Sequence, residues 1–85
     1  MKNREIIARA AIAAGILASE DAEGMVKRGE EIPFHTVQGW NLRGDYCVKE
    51  GEEGFEVKLW RKKEGEEKFY LAKSFLYRED QLIKK

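Results

Sequence analysis

The hydrophobic and polar positions of this chain predict a helix near its start. Between residues 4 and 17, apolar side chains recur at helical spacing, at Ile6, Ile7, Ala10, Ala14 and Leu17. Asn3 precedes this run as the expected N-cap, and Glu5 lies in the first turn, where the helix dipole favours a negative charge. The alanines of this helix would let it approach a sheet or another helix closely.

A second, shorter helix is predicted over residues 20–28. Ser19 can cap its start, acidic residues occupy its first turn, and Gly29 follows as a stop signal. The next segment, 32–34, is expected to be extended because Pro33 restricts the residue before it.

A third, short helix is predicted from residue 37 to residue 43. Thr36 can cap this helix, and Gly44 can stop it. We call it the signature helix. A short strand over residues 46–48 is expected to follow, and then a turn.

The clearest strand in the sequence is the strictly alternating run 55–62. If Lys63-Glu64-Gly65 forms a three-residue hairpin loop with a left-handed Gly65, Leu59 pairs with Phe69 and Val57 with Leu71. One face of this hairpin would then be apolar, built from Phe55, Val57, Leu59, Phe69 and Leu71. The expected fold class is α+β, with N-terminal helices packed on a small, mainly antiparallel sheet that contains a long β-hairpin.

The other face of the predicted hairpin would carry aromatic rings between lysines, namely Lys58, Trp60, Lys62, Lys68, Tyr70 and Ala72. Nucleic-acid bases stack on exposed rings at ~1–3 kcal/mol each, and flanking ammonium groups offset phosphate charge. This pattern favours a stacking platform for a single strand. The alternative is that the alanine-rich first helix covers Trp60 and Tyr70, with the lysines around its edge.

The composition limits what else the chain can do. With 85 residues there is room for one domain, and 16 basic residues cancel 16 acidic ones. Nucleic-acid binding would therefore rest on a local patch rather than on a global positive field. The acidic residues fall in predicted turns and helix starts, where they either solubilise the protein or form a negative surface for a basic partner.

No pattern in the sequence supports catalysis. His35 is the only histidine and has no ligand or triad partner at the required spacing, and the single Cys47 excludes an internal disulfide. We expect no enzyme, no metal and no cofactor. No segment approaches the ~20 apolar residues of a membrane span. A single cysteine fits a reducing, cytoplasmic setting, and a core this small suits a monomer or a homodimer.

Several motifs together resemble one family over about residues 31–82. They are His35-Thr36-Val37-Gln38-Gly39-Trp40, Arg43-Gly44, Lys49-Glu50-Gly51-Glu52, Leu59-Trp60-Arg61, the aromatic run 69–77, and Gln81. This pattern resembles the N-terminal domain of ArdC-type antirestriction proteins of phages and plasmids. The resemblance implies single-stranded DNA binding and a gene of a phage or mobile element. Residues 1–30 would form a helical segment in front of this core.

The candidate DNA-binding residues combine the signature helix with the hairpin. Trp40 can serve either as a core anchor or as a base-stacking ring, and Arg43 and Lys49 flank it as phosphate contacts. The full candidate set is Trp40, Arg43, Lys49, Lys58, Trp60, Lys62, Lys68 and Tyr70.

The sequence also departs from the family pattern. Glu50 and Glu53 stand where lysines are common, and the segment between Gly44 and Lys49 is one residue longer. The zinc protease-like domain that follows in full-length members is expected to be absent. A second hypothesis is therefore a small anti-defence protein, anti-restriction or anti-CRISPR, that blocks a host nuclease through its acidic turns. A third is a DNA-binding subunit that recruits a separate protease-like partner.

Overall fold

In the computed structural model, which describes residues 2–85, the first N-terminal helix packs on one face of an antiparallel sheet, and the second helix packs against the first. This confirms the predicted α+β fold. In chain order the elements are α1 (Asn3–Ala13), α2 (Ser19–Arg28), β1 (Phe34–His35), α3 (Val37–Asn41), β2 (Tyr46–Val48), β3 (Phe55–Lys62), β4 (Phe69–Arg78), a 3-10 turn (Glu79–Gln81) and β5 (Leu82–Lys84).

The first helix is shorter than the predicted 4–17, because Gly15 ends it. Gly15 adopts a left-handed φ of 74°. Its N–H donates to the carbonyl of Ile12 (3.0 Å), and the N–H of Ile16 donates to that of Ala11 (2.9 Å). These two bonds satisfy carbonyls at the helix end in the Schellman arrangement. The N-cap prediction for Asn3 is wrong, since Lys2 occupies the cap position and Asn3 lies inside the helix.

The ends of the other helices follow the sequence signals in part. Ser19 is the first residue of α2 rather than its cap, and Gly29 ends α2 with a left-handed φ of 71°, as predicted. Thr36 caps α3 as predicted, with its hydroxyl oxygen accepting the N–H of Gly39 at 3.1 Å. However, α3 ends at Asn41, before the expected Arg43.

The strands form two antiparallel sheets. In the larger sheet, β4 lies between β1 and β3, and in the smaller one β2 pairs with β5. The strands β2 and β3 have the predicted bounds. In the smaller sheet Cys47 pairs with Ile83, so β5 lies beside β2, the strand that follows the signature helix α3. No sequence signal had indicated β5.

The predicted register of the β3–β4 hairpin is wrong by three residues. Leu59 lies opposite Ala72 rather than Phe69. The loop is longer than assumed, since the N–H of Lys63 donates to the carbonyl of Lys68 at 2.9 Å. Gly65 does adopt the expected left-handed φ, at 78°. Because side chains alternate between faces, a shift by an odd number of residues moves every β4 side chain to the opposite face.

The core lies between the helices and one face of the hairpin, which we call the inner face. Leu59 and Leu76 project from this face and are buried, together with Phe34 from β1. The helices contribute mainly small side chains, namely Ala8, Ala10, Ala11 and Ala22. These alanines allow the helices to approach each other and the sheet closely. The large buried side chains of the core therefore come mainly from the strands.

Candidate nucleic-acid interface

The face of the hairpin opposite the helices remains exposed and combines apolar with charged side chains. We call it the outer face, and it consists of Glu56, Lys58, Trp60, Lys62, Phe69, Leu71, Lys73 and Phe75. Its apolar side chains are well exposed, with Trp60 at 39%, Phe69 at 64%, Leu71 at 48% and Phe75 at 43%. Large apolar side chains that are exposed together on one face are typical of an interaction surface.

The register determines which side chains meet on the outer face. Trp60 lies opposite Leu71, and Lys62 lies opposite Phe69. Phe69 is therefore a diagonal neighbour of Trp60, and cross-strand diagonals of about 7–8 Å are within reach of aromatic side chains. Together with Lys2 and Asn3, these two rings line a shallow depression of about 490 Å³. The outer face thus presents rings with open space beside them.

The lysines of the outer face differ in whether an acidic side chain already pairs with their charge. Lys73 Nζ lies 3.1 Å from Glu56 Oε1 and 5.9 Å from the centre of the Phe75 ring. Lys58 and Lys62 make no ion pair with any side chain of residues 2–85. These two ammonium groups, one on each side of Trp60 along β3, are available to an anionic ligand.

Two of the predicted hairpin residues lie away from this surface. Tyr70 is opposite Arg61 and projects on the inner-face side, beyond the area that the helices cover. Lys68 closes the hairpin loop. The prediction that Lys68 and Tyr70 flank Trp60 is therefore wrong, because it assumed a loop that was too short. The alternative, in which the first helix covers both rings, is also wrong, since Trp60 and Tyr70 are both exposed.

Trp40 belongs to the core and is not a stacking ring. Its side chain is buried, and its Nε1–H donates to the carbonyl of Tyr77 at 2.8 Å. The rings of His35 and Tyr46 lie edge-on to it, at centroid distances of 4.9 and 5.5 Å. Of the two predicted roles, the core anchor is confirmed, and the base-stacking role is excluded because no ring face is open to a ligand.

The basic residues around the signature helix hold the fold together rather than converge on a ligand. Arg43 forms an ion pair with Glu31 and donates to the carbonyl of Gly39. Lys49 Nζ donates to the carbonyl of Asp80 at 2.8 Å. Arg43 and Lys49, predicted to flank Trp40 as phosphate contacts, are instead each used in a contact within the protein.

His35 also has a structural position. Its Nε2 lies 3.0 Å from Glu31 Oε1, and its side chain is only 12% exposed. Burial lowers the pKa of His35, Arg43 lowers this pKa further, and Glu31 opposes the shift. A neutral imidazole that donates from Nε2 to Glu31 fits this site.

Four residues of the outer face were missed as site residues: Phe69, Leu71, Lys73 and Phe75. Their alternation along β4 was visible in the sequence, but the assumed register assigned Phe69 and Leu71 to the core. The error came from the loop, which is 64–67 rather than 63–65: it starts one residue later and is one residue longer, and together these changes place all four beside Trp60.

Neither a metal site nor a membrane-spanning helix within residues 2–85, nor a match to a known protein, adds to the description of the outer face. Across residues 2–85, no three His, Cys, Asp or Glu side chains form a group that could hold a metal ion. Of the helices described in that range, none is long and apolar enough to cross a membrane. No protein-family model, no curated protein and no solved structure matches the chain.

Proposed function

We propose that this chain is a single-stranded DNA-binding module of the ArdC N-terminal type, and that it holds DNA on the outer face. The observation that supports this proposal is that Trp60, Phe69 and Phe75 share one solvent-exposed sheet face. Exposed rings on a sheet are a common platform for the bases of a single strand, because every base has a face that can stack.

The arrangement of rings and lysines suits binding of single-stranded DNA without sequence preference. Stacking on Trp60 and its diagonal neighbour Phe69 supplies affinity, and the unpaired ammonium groups of Lys58 and Lys62 offset phosphate charge. Lys73 contributes less, because Glu56 already neutralises it. With so few free cations, binding should be weak and sensitive to salt.

Fluorescence anisotropy with labelled oligonucleotides at low and moderate salt tests this function. The double variant Lys58→Glu with Lys62→Glu should weaken binding strongly. Its matched control is Lys27→Glu with Lys84→Glu, which makes the same charge change at exposed positions off the outer face. If the wild-type chain does not bind single-stranded DNA at ~50 mM salt, where phosphate contacts are favoured, the proposal is wrong.

A second candidate function is an anti-defence protein that blocks a host nuclease. The observation that favours it is the exposure of Glu50, Glu52 and Glu53 in the turn before β3, in a chain of zero net charge. Acidic side chains of this kind complement a basic nucleic-acid groove. Replacing these three residues with lysine should then abolish protection of phage DNA in cells, whereas the Lys58/Lys62 variant should retain it.

A further inference from the structure

In the part of the chain that the structure describes, one edge of the central strand β4 has no partner strand along most of its length. The strand β3 pairs with β4 from Phe69 to Leu76, whereas β1 covers the other edge only at Tyr77 and Arg78. Within residues 2–85, no strand lies beside that other edge between Phe69 and Phe75. We call this stretch the free edge.

The hydrogen-bonding direction of each β4 residue follows from two contacts. The N–H of Lys63 donates to the carbonyl of Lys68 (2.9 Å), so this pair is hydrogen-bonded. The N–H and carbonyl of Trp60 bond to Asn3 on the outer edge of β3, so they point away from β4. Because the two kinds of pair alternate in antiparallel sheets, Leu71, opposite Trp60, also points its polar groups away from β3.

The same alternation holds along the whole free edge. The residues whose N–H and carbonyl groups point to the free edge are Phe69, Leu71, Lys73 and Phe75. An unpaired row of backbone groups next to exposed apolar side chains is a template for adding another strand. By contrast, the edge of β3 is occupied by the Asn3 side chain at Trp60. Within residues 2–85, the free edge of β4 carries no such contact.

We propose that two copies of this chain associate through the free edges of β4, antiparallel, around a two-fold axis at Ala72. This register uses the whole free edge and ends where β1 begins. It places Phe69 opposite Phe75 of the second copy, a favourable aromatic pair. It also places Lys73 opposite Leu71 of the second copy, so the like charges of the two Lys73 side chains are not opposed. The two β3–β4 hairpins would form one continuous sheet with both outer faces on the same side.

Oligomeric state and an edge-blocking substitution test this pairing. Light scattering after size exclusion should give twice the 9.9 kDa chain mass at high concentration. Leu71→Pro removes an N–H that points to the free edge and leaves the β3–β4 ladder intact, as proline on an edge strand does. This variant should be monomeric, and its matched control Leu71→Ala, which keeps the N–H, should remain dimeric. A monomeric wild-type chain, or a dimeric Leu71→Pro variant that is folded by circular dichroism, overturns the proposal.

Disulfide trapping tests the register without relying on that variant. In a Cys47→Ser background, Ala72→Cys should form a cross-linked dimer under mild oxidation, because non-hydrogen-bonded antiparallel partners have Cα atoms about 4.5 Å apart, within disulfide range. Tyr70→Cys should not cross-link, because the two copies would place these positions about 13 Å apart along the strands. Cross-linking of Tyr70→Cys without Ala72→Cys, or of neither, contradicts the proposed axis. If the wild-type chain stays monomeric at high concentration and still binds DNA, the pairing is overturned and the proposed function stands.

Discussion

The side chain of Asn3 pairs with both backbone polar groups of Trp60. Its Nδ2 donates to the Trp60 carbonyl at 3.0 Å, and its Oδ1 accepts the Trp60 N–H at 2.7 Å. An amide has both a donor and an acceptor, so it can replace one residue of a neighbouring strand. The contact joins the start of α1 to the edge of β3, beside the exposed ring of Trp60.

Replacing Asn3 with alanine removes both hydrogen bonds and should lower the free energy of unfolding by about 1–3 kcal/mol, since each bond contributes about 0.5–1.5 kcal/mol net. Amide exchange at Trp60 should become faster. Urea denaturation and hydrogen exchange measure these effects. Lys2→Ala, at the same helix end, should change stability by no more than about 0.5 kcal/mol. Unchanged protection of the Trp60 amide in the Asn3 variant would contradict this role.

Truncating Trp60 to alanine should weaken binding of single-stranded DNA while the domain stays folded. Because the ring is 39% exposed, the stability cost should be about 1 kcal/mol rather than the ~3–5 kcal/mol of a fully buried tryptophan. Tyr70→Ala is the matched control, since Tyr70 is 47% exposed but projects on the inner-face side. Anisotropy and thermal melts of both variants provide the comparison. Equal loss of DNA binding in the two variants would argue against binding of DNA on the outer face alone.

Gly54→Ala should destabilise the protein by about 1–3 kcal/mol through overpacking. A Cβ at this position would lie 2.7 Å from the Cβ of Phe75 and 2.7 Å from the Tyr77 ring, with no unusual φ involved. Gly24→Ala within α2 is the control, because its nearest atom is the mobile end of Arg28 and alanine favours helix. The urea midpoints should move in opposite directions. A shift of the same sign for both would contradict the steric explanation.

Stability should fall on acidification through the titration range of His35. Burial holds the pKa of His35 below its ordinary value, so the unfolded chain binds the proton more readily than the folded one. The resulting stabilisation is fully present above about pH 6.5 and is lost as pH falls through the folded pKa. Urea unfolding between neutral and mildly acidic pH should show this loss. In His35→Gln, which cannot titrate, the dependence over that window should largely disappear.

Local signals in the sequence were sufficient for several elements. The bounds of β2 and β3, the Thr36 cap and the left-handed Gly29 and Gly65 agree with the prediction. Each of these depends on side-chain alternation, on a cap within three residues or on a backbone conformation that glycine favours. Such determinants act over a few residues, so they can be read without knowing the rest of the fold.

The tertiary structure alone decided which residues share a surface. A difference of one residue in loop length, four rather than three, contributes to a three-residue shift in register and brings Phe69, Leu71 and Phe75 beside Trp60. Neither the pairing of β5 with β2 nor the contact of Asn3 with Trp60, 57 positions away, has a local signature. Register and long-range contacts depend on how whole elements pack together, and the positions of side chains along the chain do not specify that packing by themselves.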